Sequence, residues 1–574
     1  MIRSTCLRYL LFPALPIVLA GLVACGESGR DAPPEAAAAA REEIVLVSRA
    51  RIYTMDAGNT VIDPGAMALS ADGFILGIGD AAAMQDAFPS ARRVDLGGRT
   101  VLPGLIDAHA HLYGLALSYT QANLVGAASK AEAIGRLRDF EATLADGEWL
   151  LGRGWDQNDW PEAVFPSRGD LDAEFPDRPV WLRRIDGHAA WANSLALAQA
   201  DRDLRGDWQP TGGHVHRDAA GEPIGILIDR AMDLVDRVVP PVSRERITGA
   251  LDLAVAEVLS LGLTGVHDPG IDRDVLTLFG ERIEQGVFPL RLYALADGNG
   301  ETLDWLCENG HYRHTSGRLV MRSVKLYADG ALGSRGAALL EDYADDPGNR
   351  GLLFLDAPDL EAALRRVFSC GLQAGIHAIG DAANRQVLDA YERLLPEFPG
   401  NPGRHRIEHA QILAPQDLPR FARLGVIAAV QPTHATSDMY WAGERLGEER
   451  LPGAYAWRSL AESGARLAFG SDFPVEEVNP FFGIHAAVTR QDRQGWPEGG
   501  WLPSERLGRE AAIRAFTLDA AYAAFMEEEV GSLEAGKRAD FIVLDRDVMQ
   551  VPADEIAEIR VMQTWLDGKP VFER

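Results

Sequence analysis

Two histidines one residue apart, His109 and His111, close the apolar run Val101-Leu102-Pro103-Gly104-Leu105-Ile106-Asp107-Ala108. Read as a short buried β-strand, this run alternates its side chains between two faces, so both imidazoles point the same way. Such a pair can hold one metal ion at Zn–N distances of roughly 2.0–2.1 Å. Further along, His377, His409 and Asp472 each stand at the end of another strand-like apolar run, and Lys325 lies inside one, Val324-Lys325-Leu326-Tyr327. Mixed imidazole and carboxylate donors suit Zn, and are compatible with Mn, Fe or Co. A buried ammonium is costly, so a buried Lys325 is expected to lose its charge. A neutral amine adds carbon dioxide to give a carbamate, an anion able to bridge two cations about 3.5–4 Å apart.

For these six residues to meet, the runs that carry them must lie side by side with their ends together. The middle of the chain alternates strands and helices, the pattern of a parallel sheet. After the opening run, strands are predicted over 263–268, 290–296, 319–328, 372–378, 404–410, 426–431 and 466–472. Eight parallel strands close a TIM (β/α)8 barrel, whose chemistry sits at the C-terminal strand ends. Amphipathic helices are predicted over 244–260, 360–369 and 384–395. The interval after the first strand is too long for one βα connection. It is read as an insertion over about 125–245 that rises above the C-terminal face as a lid. Short strands over 44–100 and 531–574, with Asp72-Gly73 and Asp567-Gly568 as turns, are read as one composite β-sandwich domain made by both chain ends. The barrel occupies 101–530. The fold class is therefore α/β.

The 574-residue chain is 47% hydrophobic with a formal net charge of -28, which disfavours nucleic-acid partners and leaves a small-molecule substrate. The first 24 residues have a basic start and an apolar stretch too short to span a bilayer. Leu22-Val23-Ala24-Cys25 resembles a bacterial lipoprotein lipobox. That resemblance implies cleavage before Cys25, lipidation of its sulfur and a membrane anchor in the cell envelope, with Gly26 favouring the outer membrane of a Gram-negative cell. Residues 25–43 then read as a flexible tether. Cys307 and Cys370 remain, and their pairing is open at this level. Oligomer formation is also open.

Several dispersed motifs resemble the amidohydrolase superfamily, in its family 3 branch of metal-dependent hydrolases. They are Leu102-Pro103-Gly104-Leu105-Ile106-Asp107-Ala108-His109-Ala110-His111, Val324-Lys325-Leu326-Tyr327-Ala328-Asp329-Gly330, Ile376-His377-Ala378-Ile379-Gly380-Asp381, Arg406-Ile407-Glu408-His409-Ala410-Gln411, and Gly470-Ser471-Asp472-Phe473-Pro474. The segment Gly531 to Phe541 also fits. The resemblance implies that His109, His111 and Asp472 hold one divalent metal. It implies that His377 and His409 hold a second, with carboxylated Lys325 as the bridge.

The expected activity is hydrolysis of a non-peptide carbon–nitrogen bond (amide, N-acyl or N-formyl) by metal-activated hydroxide, with Asp472 as the acid–base group. Competing readings are a mononuclear deaminase, an esterase or lactonase on the same barrel, and a noncatalytic solute-binding lipoprotein. Deaminases of this kind usually carry a Glu shortly after the fifth-strand His, and Ala378-Ile379-Gly380-Asp381 has none. Trp155, Asp156, His188 and Arg335 are the foremost candidates to bind substrate. Arg153, Tyr327 and His434 are further candidates for the pocket wall.

Overall fold

The computed structural model describes residues 43–574 apart from Asp146 and Asn299. The lipobox, Cys25 and nearly all of the tether lie outside the described residues. Eight parallel strands form the centre: Leu105–Asp107, Leu263–Ile271, Arg291–Asp297, Leu319–Tyr327, Gln373–Ala378, Arg406–His409, Ile427–Val430 and Leu467–Phe469. They neighbour one another in sequence order. The seam between first and last is joined by Ala108 N–H to Phe469 O (2.8 Å) and Asp472 N–H to His109 O (2.7 Å). Together they form a nearly closed barrel.

The opening run is a correction to the sequence reading. It is two strands, Thr100–Pro103 and Leu105–Asp107, broken at Gly104. The first belongs to the β-domain, where it pairs antiparallel with Phe541–Leu544; only the second enters the barrel, beside Leu263–Ile271. Gly104 sits where a Cβ would lie 2.2 Å from the Thr264 hydroxyl, so only glycine lets the chain cross so close to the second barrel strand. His109 and His111 consequently lie just beyond the strand, in the loop that leaves the barrel mouth.

The helices around the barrel follow from local sequence. In Ala357–Ser369, the Asp356 side chain caps the N-terminus by accepting from Asp359 N–H. Leu360, Ala363, Leu364, Val367 and Phe368 repeat at three- and four-residue spacing and are buried. Helix Arg244–Ser260 is capped likewise by Ser243, and Asp381–Leu394, which follows Gly380 without a side-chain cap, buries a similar stripe.

Both chain ends meet in one connected eight-stranded sheet. Val45–Tyr53 pairs with Val61–Leu69 on one edge and shares its other edge between Arg92–Asp95 and Thr100–Pro103. Its core includes Val47, Ile52, Met67, Val101, Phe541 and Trp565. Arg291, on the third barrel strand, donates to Asp540 (2.5 and 2.9 Å) and Asp567 (2.5 Å), which fastens barrel to sheet through buried charge.

The insertion has a sheet of its own, ordered Gly213–Arg217, Pro223–Asp229, Ala189–Ala192, Val180–Arg184, Leu150–Trp155 and Ala122–Asn123. Asp218 to Gly221 makes the turn of its outer hairpin, with Gly221 N–H bonded to Asp218 O at 3.0 Å.

Cys307 and Cys370 form a disulfide across 63 residues, with Cα atoms 5.0 Å apart. It clips helix Glu301–Asn309 to the end of helix Ala357–Ser369. Closing a loop of this length removes about 4 kcal/mol of unfolded-state entropy. Cys307→Ser should therefore lower the calorimetric melting temperature by a few degrees, and reductant should then have no further effect. An unchanged melting temperature would show that the bond adds nothing to folding.

Candidate metal centre and active-site cleft

The strand ends bring all six predicted side chains together. His109, His409 and Asp472 are buried and offer ligand atoms within 4.8 Å of one another. His111 Nε2 lies 3.2 Å and His109 Nε2 3.7 Å from Asp472 Oδ1. Lys325 Nζ is 3.4 Å from His109 Nε2. The His377 ring lies 4.6 Å from His409, and His409 lies 4.7 Å from His109. Two of these residues hold left-handed backbone, His409 (φ 74°) and Asp472 (φ 65°). For non-glycine residues that conformation costs energy and persists only where surrounding contacts impose it. Here it turns both side chains into the cluster.

Burial lowers the pKa of His109, His377 and His409 well below the ordinary histidine value. Their rings are neutral, the form that binds metal. Burial would raise the pKa of Asp472, but contact with His111 and the neighbouring imidazoles His109 and His434 outweigh it, so the carboxylate stays charged. Burial brings Lys325 down to about 8, although Glu408 and Asp472 oppose it. Asp472 Oδ1 is buried with His111 Nε2 as its nearest partner, and His434 Nε2 is buried with no hydrogen-bond partner among the described residues. A buried carboxylate among neutral imidazoles is costly unless a cation meets it. The donor set thus fits a divalent metal.

A second layer escaped the sequence reading. His109 Nδ1 meets Glu408 Oε2 at 2.5 Å, leaving Nε2 to face the cluster. Glu408 in turn accepts from Arg406 Nη2 (2.8 Å). Arg406 also reaches across the barrel to Ala108 O (2.6 Å) and to His267 Nδ1 (3.0 Å). Asp107 takes Ser471 Oγ–H (2.7 Å) and His109 N–H (3.1 Å), locking the loop of His109 to the loop of Asp472. Gln431 Oε1 holds His409 Nδ1 at 2.9 Å. The signal for Arg406 and Glu408 was present: they stand two apart, on one face of a fully buried strand, where two charges must pair. Partners that orient ligating histidines typically carry 10-fold to 100-fold of metal affinity. Glu408→Gln should weaken retained metal by about that factor in chelator competition while leaving the fold intact. Unchanged metal retention would show that Glu408 only packs the barrel.

The cluster lies at the floor of a cleft of about 1620 Å³, walled by the barrel loops and the insertion. Asp156, His188, Tyr327, Arg153 and His434 line it. His188 Nδ1 meets Asp229 Oδ1 at 2.7 Å, and its ring lies 5.0 Å from His377. Burial pulls the His188 pKa down, but Asp229 and the further carboxylates Asp186 and Asp329 raise it overall. Asp156 is held by Arg184.

Two expected substrate contacts are corrected. Trp155 is fully buried in the insertion, donates to Leu182 O at 2.9 Å and packs against Trp160 and Trp191. A register shift between Arg153 and Trp155, with Gly154 at φ 108°, breaks the strand alternation and turns Trp155 into that apolar core, away from the cleft. Arg335 forms an ion pair with Asp345 (2.8 Å), which Arg445 shares, and does not line the cleft.

Comparison with known proteins agrees with this architecture. The amidohydrolase family profile matches residues 92–572. "Protein LONG AFTER FAR-RED 3" of Arabidopsis thaliana is 36% identical over 543 residues, covering 92% of this chain and 91% of its own. The N-substituted formamide deformylase of Arthrobacter pascens is 28% identical over 555 residues, covering 92% and 98%. The crystal structure of an uncharacterized metal-dependent hydrolase from Pyrococcus horikoshii OT3 superposes with a TM-score of 0.72 at 29% identity, covering 89% of this chain and 99% of that one. Barrel, strand-end cluster and sequence likeness run over the same residues, and the chain belongs to the amidohydrolase family of metal-dependent hydrolases.

Proposed function

We propose that this protein hydrolyses a carbon–nitrogen bond of an amide, N-acyl or N-formyl small molecule. The observation that carries the reading is the charged, buried Asp472 carboxylate, with His111 Nε2 3.2 Å and His109 Nε2 3.7 Å from its Oδ1, at the floor of a large cleft. His109, His111 and Asp472 would hold one divalent ion, with Zn favoured by the donors; His377 and His409 would hold a second, with carboxylated Lys325 between. When bound, the metal supplies Lewis acidity that polarises a carbonyl and acidifies water. Asp472 Oδ1 takes the proton of the attacking water and passes it to the departing nitrogen. His188, fixed through Nδ1 by Asp229 and with its pKa raised by the surrounding carboxylates, would donate through Nε2 to the carbonyl oxygen in its protonated form. The likeness to an N-substituted formamide deformylase supports the N-formyl class. Lys325 Nζ at 3.4 Å from His109 Nε2 favours a bridged site over a one-metal deaminase.

The test is turnover of N-formyl and N-acyl amines by the chain lacking residues 1–25, purified with zinc and bicarbonate, beside matched esters and aminopurines. Amine release from the amides supports the reading. Release of ammonia from the aminopurines alone would replace it with deamination, and release from esters alone with ester hydrolysis.

We also infer anchoring to the cell envelope through lipidated Cys25. The disulfide between Cys307 and Cys370 supports an oxidising compartment. Among the described residues no helix is long and apolar enough to cross a membrane. Radiolabelled palmitate should enter the full chain and not a Cys25→Ala variant; equal labelling of both would remove Cys25 as the attachment point.

A further inference from the structure

Three arginines line the cleft, and two are neutralised by carboxylates. Arg183 pairs with Asp236 at 2.7 Å, and Arg184 lies between Asp156 and Asp186. Arg153 differs. Its Nη2 donates to the backbone oxygen of Ile185 at 2.9 Å, and its Nε is buried with no partner. It forms no ion pair with any carboxylate among the described residues. Nη1 makes no hydrogen bond there either, and it lies against Gly187, where a Cβ would come within 3.4 Å. Gly187 has φ 77°, a left-handed turn that glycine accepts without strain. The next residue is His188, which stacks toward His377 in the metal cluster.

Burial pulls the Arg153 pKa down to about 10, and the neighbouring Arg183 adds to this. The group is still a cation at neutral pH. A half-buried guanidinium without a counter-ion is unfavourable, and its fork geometry matches a carboxylate. Acidic neighbours do not fill the role. Asp186 and Asp472 attract Arg153 without pairing with it: Asp186 is already held by Arg184 and His188 N–H, Asp472 lies against His111, and Glu476, which also lines the cleft, accepts from Ser437 Oγ–H at 2.6 Å. Strand register sets Asn123 and Arg183 on either side of Arg153, and apolar side chains including Leu151, Trp181, Ile185 and Val125 also line the cleft.

We propose that Arg153 is the anion-recognition residue of the cleft, and that the substrate carries a carboxylate or equivalent anionic group beside an apolar body. This rests on the hydrolase reading above for what happens at the metal cluster, but the recognition itself is a binding property. The cleft, at about 1620 Å³, exceeds the roughly 300–1000 Å³ of common small-molecule pockets and has room for both ends of such a compound.

Binding of small non-hydrolysable probes separates recognition from catalysis. The zinc-loaded chain lacking residues 1–25 is titrated calorimetrically with benzoate, 3-phenylpropionate and butyrate, and with the matching primary alcohols. At least one carboxylate should bind more tightly than its alcohol. Arg153→Gln should weaken that carboxylate by about 10-fold to 100-fold, the range of a charge-assisted hydrogen-bond pair, and leave the alcohol unchanged. Arg153→Lys should recover part of the loss, which a folding defect would not. Equal weakening of acid and alcohol, no effect of Arg153→Gln, or no carboxylate binding to the unaltered chain would each overturn the assignment. If carboxylate binding depends on Arg153 but no amide is turned over, the recognition stands and the hydrolase reading fails.

Discussion

Asp472→Asn is expected to abolish turnover with little change in fold. Asp472 has φ 65°, and asparagine is among the few residues that accept this backbone region readily. The substitution also keeps the shape of the side chain and leaves the hydrogen bond from residue 472 N–H to His109 O (2.7 Å) in place. What it removes is the negative charge and the basic oxygen. General acid–base groups contribute about 10²–10⁴-fold, and kcat should fall by at least that much because a ligand is lost as well. The melting temperature should move little. Metal content measured on the same sample separates the two losses: a variant that keeps its metal and has no turnover has lost the proton carrier. Turnover near the unaltered level would remove Asp472 from the reaction.

The second large effect is expected at Lys325. The chain purified with zinc and bicarbonate should carry about two ions, as in two-metal sites of this geometry. Lys325→Ala should carry one or none and lose most of its activity. Lys325 is nearly inaccessible in the fourth barrel strand, so truncation to alanine also leaves a cavity, costing about 2–5 kcal/mol by analogy with other long core side chains. Lys325→Met fills that volume without an amine and should show the same metal loss with less loss of stability. The amine must be neutral to take up carbon dioxide, and Lys325 is lowered to about 8 by burial. Its neutral fraction rises as pH increases through that value. Bicarbonate-dependent loading of apo-protein should therefore accelerate from about pH 7 to about pH 9, and neither variant should show this acceleration. Two ions retained in both variants would sink the bridging role.

These expectations began from residues legible in the chain itself. His109 and His111 were visible because two imidazoles one residue apart end an apolar run. Lys325 was visible because a cation in an apolar strand demands an explanation. The barrel was legible because apolar strand runs recur between amphipathic helices such as Ala357–Ser369, whose cap and buried stripe are local features. Local pattern also marked the insertion, since the interval from the first strand to Leu263 far exceeds a βα connection.

What required the tertiary structure was every property set by a distant partner. The break at Gly104 depends on Thr264, and the assignment of Thr100–Pro103 to the other domain depends on Phe541–Leu544. Arg153 and Trp155 would share a face in a regular strand, yet the register shift at Gly154 sends Trp155 into the insertion core and leaves Arg153 at the cleft. Arg153 and Arg335 are equal as cations in the sequence. Asp345 neutralises Arg335, while among the described residues no carboxylate forms an ion pair with Arg153. The sequence by itself determined which chemistry this protein carries and the framework that holds it, because periodicity and residue type are local. The fold alone decided which charges are paired, which way each side chain turns and what faces the substrate, because burial and electrostatic pairing arise only when residues hundreds of positions apart come into contact.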